Sequence, residues 1–191
     1  MLKLDFKSML ALRSSLEAVK NYLSCLPSSL YQRVWINADI IAGPGEDRND
    51  GLAQKKMQPK FDAVEFLKVV SSQLPETYLS IGWTTSLTDV GAVYTEEMVS
   101  TMISCAEPYS AVTFPVRASC FRASWQTLQK LYQANQQWTL TLWWSYELSK
   151  EDFDFIYNTL ENEEEEFRNR TFYDVAGFRK YLSEHHEYVY K

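Results

Sequence analysis

Six times along this chain a short β-rich run gives way to a stretch of helical period, and that alternation restricts the fold more than any other feature. The runs are LKLDFK (2–7), VWINADI (34–40), YLSIGW (78–83), AVTFPVRA (111–118), WTLTLWW (138–144) and TFYDV (171–175). They recur at roughly 27 to 44 residues, the size of a βα unit with its loops. Parallel strands need such crossovers, so an α/β fold with a parallel sheet is expected. After the first run, Met9, Leu12, Leu16, Val19 and Leu23 form one apolar stripe at three- and four-residue steps. Further helices are expected near 60–73, 95–107, 121–134, 149–160 and 176–184. Thr95 opens the third and Ser149 the fifth, with Asp152 at capping-box spacing.

The polarity of the runs narrows the choice. Strands of a doubly wound sheet are covered on both faces and are continuously apolar. Here the two sides differ. Leu4 and Phe6 oppose Lys3, Asp5 and Lys7, while Val34, Ile36 and Ile40 oppose Trp35, Asn37 and Asp39. Val112, Phe114 and Val116 oppose Thr113, Pro115 and Arg117; Leu140, Leu142 and Trp144 oppose Thr139, Thr141 and Trp143. Crossover helices cover the oily face, so the polar faces converge, and an α/β barrel with a polar lumen mouth meets that geometry better than an open sheet. Such barrels use eight units and ~250 residues. This sequence of 191 residues holds six units. The expectation is therefore an incomplete TIM-like (β/α) barrel lacking its first two units, because the first strand begins at Leu2 with no helix before it. With no shift in composition to mark a second domain, residues 1–191 are expected to form one.

Charge and apolar distribution limit the partners. A net charge of -6 provides no basic field for phosphate backbones, which argues against nucleic acid and anionic membrane surfaces. No apolar run reaches the ~18 residues of a membrane span. Lys3, Asp5 and Lys7 interrupt the start of the chain, unlike a signal peptide, so the sequence by itself points to the cytoplasm. Cys25, Cys105 and Cys120 are too few and too scattered for a disulfide framework or a zinc site. The acidic run Glu161, Glu163, Glu164, Glu165 and Glu166 is expected to be a solvated loop.

In α/β barrels the reactive groups stand at the C-terminal ends of the strands. That rule selects Asp5, Lys7, Asn37, Asp39, Trp83, Thr84, Thr85, Arg117, Trp143, Ser145 and Asp174. Asp5 and Lys7 point the same way, placing a carboxylate able to hold a divalent cation beside an ammonium able to hold a phosphate oxygen. An internal ion pair explains the same spacing equally well. The segment IAGPGEDRNDG (41–51) lacks the spacing of a phosphate-binding loop, Asn169-Arg170-Thr171 is a chance-level glycosylation sequon, and His185 and His186 sit at the far end of the chain. No strand-end histidine is available for acid/base work.

Taken together, LKLDFK, VWINADI followed by GPG, LSIGWTT, VTFPVRAS and TFYDV, in this order over almost the whole chain, resemble the menorin family. That family is similar to the glycerophosphodiester phosphodiesterase and phospholipase-D-toxin group of α/β barrels, in which Mg²⁺ or Ca²⁺ sits at the barrel mouth and two histidines act as acid and base. The resemblance implies a metal held by a Glu and an Asp of the second strand and an Asp of the third, with a Lys two residues on. Asp5 would be that third-strand metal ligand and Lys7 the phosphate contact. The strands carrying both histidines and the other two carboxylates are not in this sequence, so the chain looks N-terminally truncated. Mg²⁺ or Ca²⁺, which take about six or more oxygens, would then bind weakly. Two functions are compatible with this pattern. The first is a non-catalytic binding or interaction domain that takes a protein partner or a small phosphodiester-like ligand through Lys7, Asn37, Asp39, Arg117 and Trp143. The alternative is the C-terminal part of a metal-dependent glycerophosphodiester or phospholipid phosphodiesterase-like enzyme. Members of the family are commonly secreted, so the resemblance implies an extracellular location.

Overall fold

Each β-rich run becomes a strand of one parallel sheet. The computed structural model describes residues 1–44, 61–85, 91–162 and 165–185. Strands β1 (Leu2–Asp5), β2 (Val34–Ala42), β3 (Tyr78–Thr84), β4 (Val112–Arg117), β5 (Thr139–Trp144) and β6 (Thr171–Val175) lie side by side in chain order. Helices α1 (Met9–Ser24), α2 (Ala63–Gln73), α3 (Glu96–Ala106), α4 (Phe121–Ala134), α5 (Lys150–Ile156), α6 (Glu165–Asn169) and α7 (Phe178–His185) alternate with them.

The oily face of the sheet meets the helices, as the alternation requires. Ile36, Ile81, Val112, Phe114, Val116, Leu140 and Leu142 are buried there with Leu12, Phe66, Met102 and Leu128 from the helices. Local chemistry starts the helices where the sequence marks them. Ser8, Asp62, Thr95 and Ser149 are N-caps whose side chains accept from the backbone N–H of Ala11, Glu65, Met98 and Asp152. The β3–β4 ladder pairs only Leu79 with Val112 and Ser80 with Thr113, stopping short of Pro115, which has no N–H to give.

The sheet is curled into a half-barrel, not laid flat. Trp35 of β2 and Phe172 of β6 meet edge to face with ring centroids 5.0 Å apart. Four strand spacings separate those strands, about 19 Å in a flat sheet at ~4.8 Å per strand. Only strong curvature brings the rings together. Trp35 also stacks on Tyr78 at 5.3 Å, so aromatic rings fill the lumen near the N-terminal ends of the strands.

Three stretches depart from the expected boundaries. β1 ends at Asp5, although Phe6 N–H still donates to Asn37 O at 2.9 Å, and Lys7 lies just past the strand. The fifth helix passes at Tyr157–Asn162 into a wider π-type turn. The acidic run is not simply a solvated loop: Glu161 is buried, Glu165 and Glu166 belong to α6, and 163 and 164 lie outside the described residues. Arg170 is the reason, since its buried guanidinium donates to Trp138 O, Tyr132 O and Asn135 O and also to the Glu166 carboxylate at 2.6 Å. Residues 45–51 of the glycine-containing segment, His186 and the tail 188–191 lie outside the described residues. Among the described residues no helix is long and apolar enough to cross a membrane.

Candidate functional site at the lumen mouth

Register builds the site from β1 to β3. Asp5 pairs with Asn37 and Asn37 with Ser80, so three polar side chains share one row on the lumen face. Asn37 Nδ2 donates to Asp5 Oδ1 at 2.8 Å, and Ser80 Oγ donates to Asn37 Oδ1 at 2.7 Å. The Lys7 ammonium closes on the other Asp5 oxygen at 2.8 Å. One layer further up, Asp39 stands opposite Gly82, where a Cβ would lie 2.9 Å from Asp39 Oδ1. The missing side chain is the room that Asp39 occupies.

Electrostatics tie these groups together. Burial raises the Asp39 pKa above the ordinary carboxylate value; Lys7 and Lys3 oppose that shift and Asp5 adds to it. Lys3, on the same face of β1, has its pKa lowered by desolvation, against the pull of Asp5, Asp174 and Asp39. The influence of Asp174 on Lys3 couples the first and last strands of the sheet.

Asp5 and Arg117 both end their strands, hence the same end of a parallel sheet. Arg117 and Asp174 flank Trp143 in register. The Arg117 guanidinium lies over the Trp144 ring at 4.5 Å and donates from Nε to Ser119 Oγ at 2.7 Å. Its backbone N–H donates to the hydroxyl of Tyr94, whose pKa burial pushes far up. Asp39 and Arg117 act on that phenol with opposite sign, so Tyr94 sits within the field of both sides of the mouth. Thus Asp5, Lys7, Asn37 and Asp39 form one cluster, with Arg117 and Trp143 on a neighbouring arc. Trp83 belongs elsewhere: its ring packs on Tyr94 and Phe114 in the core and its Nε1 donates to Met98 O at 3.3 Å. Lys3 joins the site from the polar face on which the alternation of β1 places it, whereas Ser80 and Tyr94 carry no distinguishing mark in the sequence. Only the register between strands reveals Ser80, and only the burial of the loop before α3 reveals Tyr94.

The donor set can be tested against Mg²⁺ or Ca²⁺. Both Asp5 oxygens are engaged by protein donors, and the Asn37 carbonyl oxygen is engaged by Ser80. Among the described residues no group of three or more carboxylate, histidine or cysteine ligands gathers. Asp5 and Asp39 alone fall short of about six oxygens, so these residues do not by themselves fit such an ion. The three cysteines are free thiols: Cys25 is exposed, Cys105 half-buried and Cys120 buried.

Residues 1–178 match the family model described as the Menorin N-terminal domain. The chain belongs to the menorin family. Among its relatives, Protein FAM151B of Homo sapiens is 32% identical over 177 residues, which cover 91% of this chain and 58% of that protein. The chain thus spans less than two thirds of the length of this relative. No solved structure matches.

Proposed function

We propose that this menorin-family chain is a binding domain that takes a small phosphodiester-like ligand at its lumen mouth without turning it over. One observation carries the reading: Asp5 is engaged on both oxygens, by Lys7 and by Asn37, each at 2.8 Å. A carboxylate held in this way is a partner for Lys7 more than a free chelating group. The Lys7 ammonium has three donors and Asp5 takes one, which leaves capacity for an anionic oxygen. Lys7, Asn37, Asp39, Arg117 and Trp143 are the proposed contacts, and Asp5 is a weak cation ligand at most. The concave face of a curled sheet suits a small molecule better than a flat protein surface. By its resemblance to commonly secreted menorins, we place the protein outside the cell.

A second reading rests on Asp39. Its raised pKa brings its protonated form nearer to neutral pH, as a general acid for a leaving group requires, and favours a phosphodiesterase-like enzyme. Titration with glycerophosphocholine, followed by NMR with and without Mg²⁺ or Ca²⁺, separates the two. Saturable shifts at Lys7 and Asn37, weakened about tenfold in Lys7→Ala, with no product formed, are expected. Turnover that disappears in both Asp5→Ala and Lys7→Ala would overturn the non-catalytic reading.

A further inference from the structure

We infer that Ser80 is a positioning residue of the lumen site, holding Asp5, and through it Lys7, by way of the Asn37 amide; the inference rests on the proposal that this face binds a ligand. An ionised carboxylate only accepts hydrogen bonds, so the Asn37 group that meets Asp5 Oδ1 at 2.8 Å is the amide nitrogen. The amide oxygen then faces Ser80 Oγ at 2.7 Å, and the Ser80 hydroxyl has to donate. The direction of the whole relay is fixed: Ser80 to Asn37, Asn37 to Asp5, Lys7 to Asp5.

The relay runs from the rigid interior to the mouth. Ser80 is 0% exposed and Asn37 5%, whereas the side chains of Asp5 and Lys7 are 44% and 65% exposed. An ion pair at such exposure holds its geometry weakly, because two flexible side chains lose entropy for a modest screened attraction. Anchoring Asp5 from beneath removes much of that freedom. Without the Ser80 hydroxyl, the Asn37 oxygen is a buried acceptor with no donor, and the amide turns to seek one. Nδ2 then leaves Asp5, and the Asp5–Lys7 pair loses its fixed place on the face. Thr113 and Thr141 offer an internal control: their hydroxyls bond at 2.8 Å on the same face, Thr113 beside Ser80 in register but with its hydroxyl on Thr141 and not in the relay.

The experiment compares the wild-type chain with Ser80→Ala, Ser80→Thr and Thr113→Ala by NMR. Hydrogen exchange at the Asn37 Nδ2 protons reports the relay, and glycerophosphocholine titration reports the site. Thr113, Thr139 and Thr141 already occupy lumen positions, so a β-branched hydroxyl at 80 suits this face. Ser80→Ala is expected to speed Asn37 exchange and to weaken glycerophosphocholine binding, each about tenfold. Ser80→Thr restores both, and Thr113→Ala leaves both at the wild-type value. Unchanged Asn37 exchange in Ser80→Ala overturns the inference, as does equal acceleration in Thr113→Ala, which would mean general loosening. If Ser80→Ala does not fold, Ser80→Cys, of similar shape with a weaker donor, takes its place, with both effects expected in the same direction but smaller, and unchanged Asn37 exchange again overturns the inference. Failure of glycerophosphocholine to bind the wild-type chain sinks the binding proposal alone, since Asn37 exchange still decides the role of Ser80.

Discussion

At the scale of single residues, the mouth is shaped by what Gly82 lacks as much as by what Asp39 carries. A methyl at 82 would lie 2.9 Å from Asp39 Oδ1 and 3.6 Å from Pro115. Gly82→Ala is expected to turn the Asp39 carboxyl aside, lowering stability by about 1 kcal/mol in urea denaturation and weakening ligand binding with it. Asp39 itself makes stability depend on pH. Burial, with Asp5 adding to it, outweighs Lys7 and Lys3 and raises the folded-state pKa. Between the ordinary carboxylate range and that raised value the folded chain holds a proton that the unfolded chain has released, so stability falls as pH rises through the window. Asp39→Asn removes this dependence. Its urea midpoint should exceed that of the wild type at about pH 7, with the gap closing at acid pH where both states of the wild type are protonated. A wild-type midpoint that stays higher at neutral pH would mean that the attraction of Lys7 and Lys3 outweighs burial. The common face of Asp5, Asn37 and Asp39 was legible because alternation within a strand fixes the side each residue takes. The parts of Ser80 and Gly82 were not, because their contacts are with Asn37 and Asp39 on another strand.

At the scale of elements, helix starts were readable because capping is local chemistry. Thr95 and Ser149 cap α3 and α5 as their spacing implies. Asp62→Ala should remove the cap of α2 and cost about 1 kcal/mol, seen as a lower urea midpoint with an unchanged m-value. The acidic run shows the opposite case. Its composition suggests a solvated loop, yet α6 forms there because Arg170, buried against three carbonyl oxygens from outside the segment, also takes the Glu166 carboxylate one helical turn back. No local pattern announces those carbonyl oxygens, which come from Tyr132, Asn135 and Trp138. Arg170→Ala leaves Trp138 O, Tyr132 O and Asn135 O without their donor and should cost about 3 kcal/mol by the same measurement. Arg170→Lys should recover little of it, since an ammonium cannot reproduce the planar fork.

At the scale of the whole molecule, polar alternation foretold a lumen, but not how the lumen is closed off below the site. Trp35 counts as a polar-face residue by its position in β2, yet it is buried and joins Tyr78 and Phe172 in an aromatic floor. The Trp35–Phe172 contact exists only because the sheet curls, so it measures the curvature directly. A double-mutant cycle on Trp35→Leu and Phe172→Leu separates that contact from the general cost of removing either ring. Trp35 also touches Tyr78, so the single substitution at 35 should be the more destabilising, while Phe172, 39% exposed, should cost less. If the half-barrel persists in solution, the cycle should return a favourable coupling of about 0.5 to 1.5 kcal/mol, the range for a well-placed aromatic pair. In a sheet that flattens, the rings would be about 19 Å apart and the coupling would vanish. The same curvature brings Lys3 of β1 under the influence of Asp174 of β6. A cycle on those two charges should therefore give a smaller, salt-sensitive coupling of the same sign, because a partly solvated pair is screened where a packed ring pair is not. Loss of the aromatic coupling together with the charge coupling would mean an open sheet, and with it a mouth too wide for Lys7, just past β1, and Arg117 of β4 to act on one ligand.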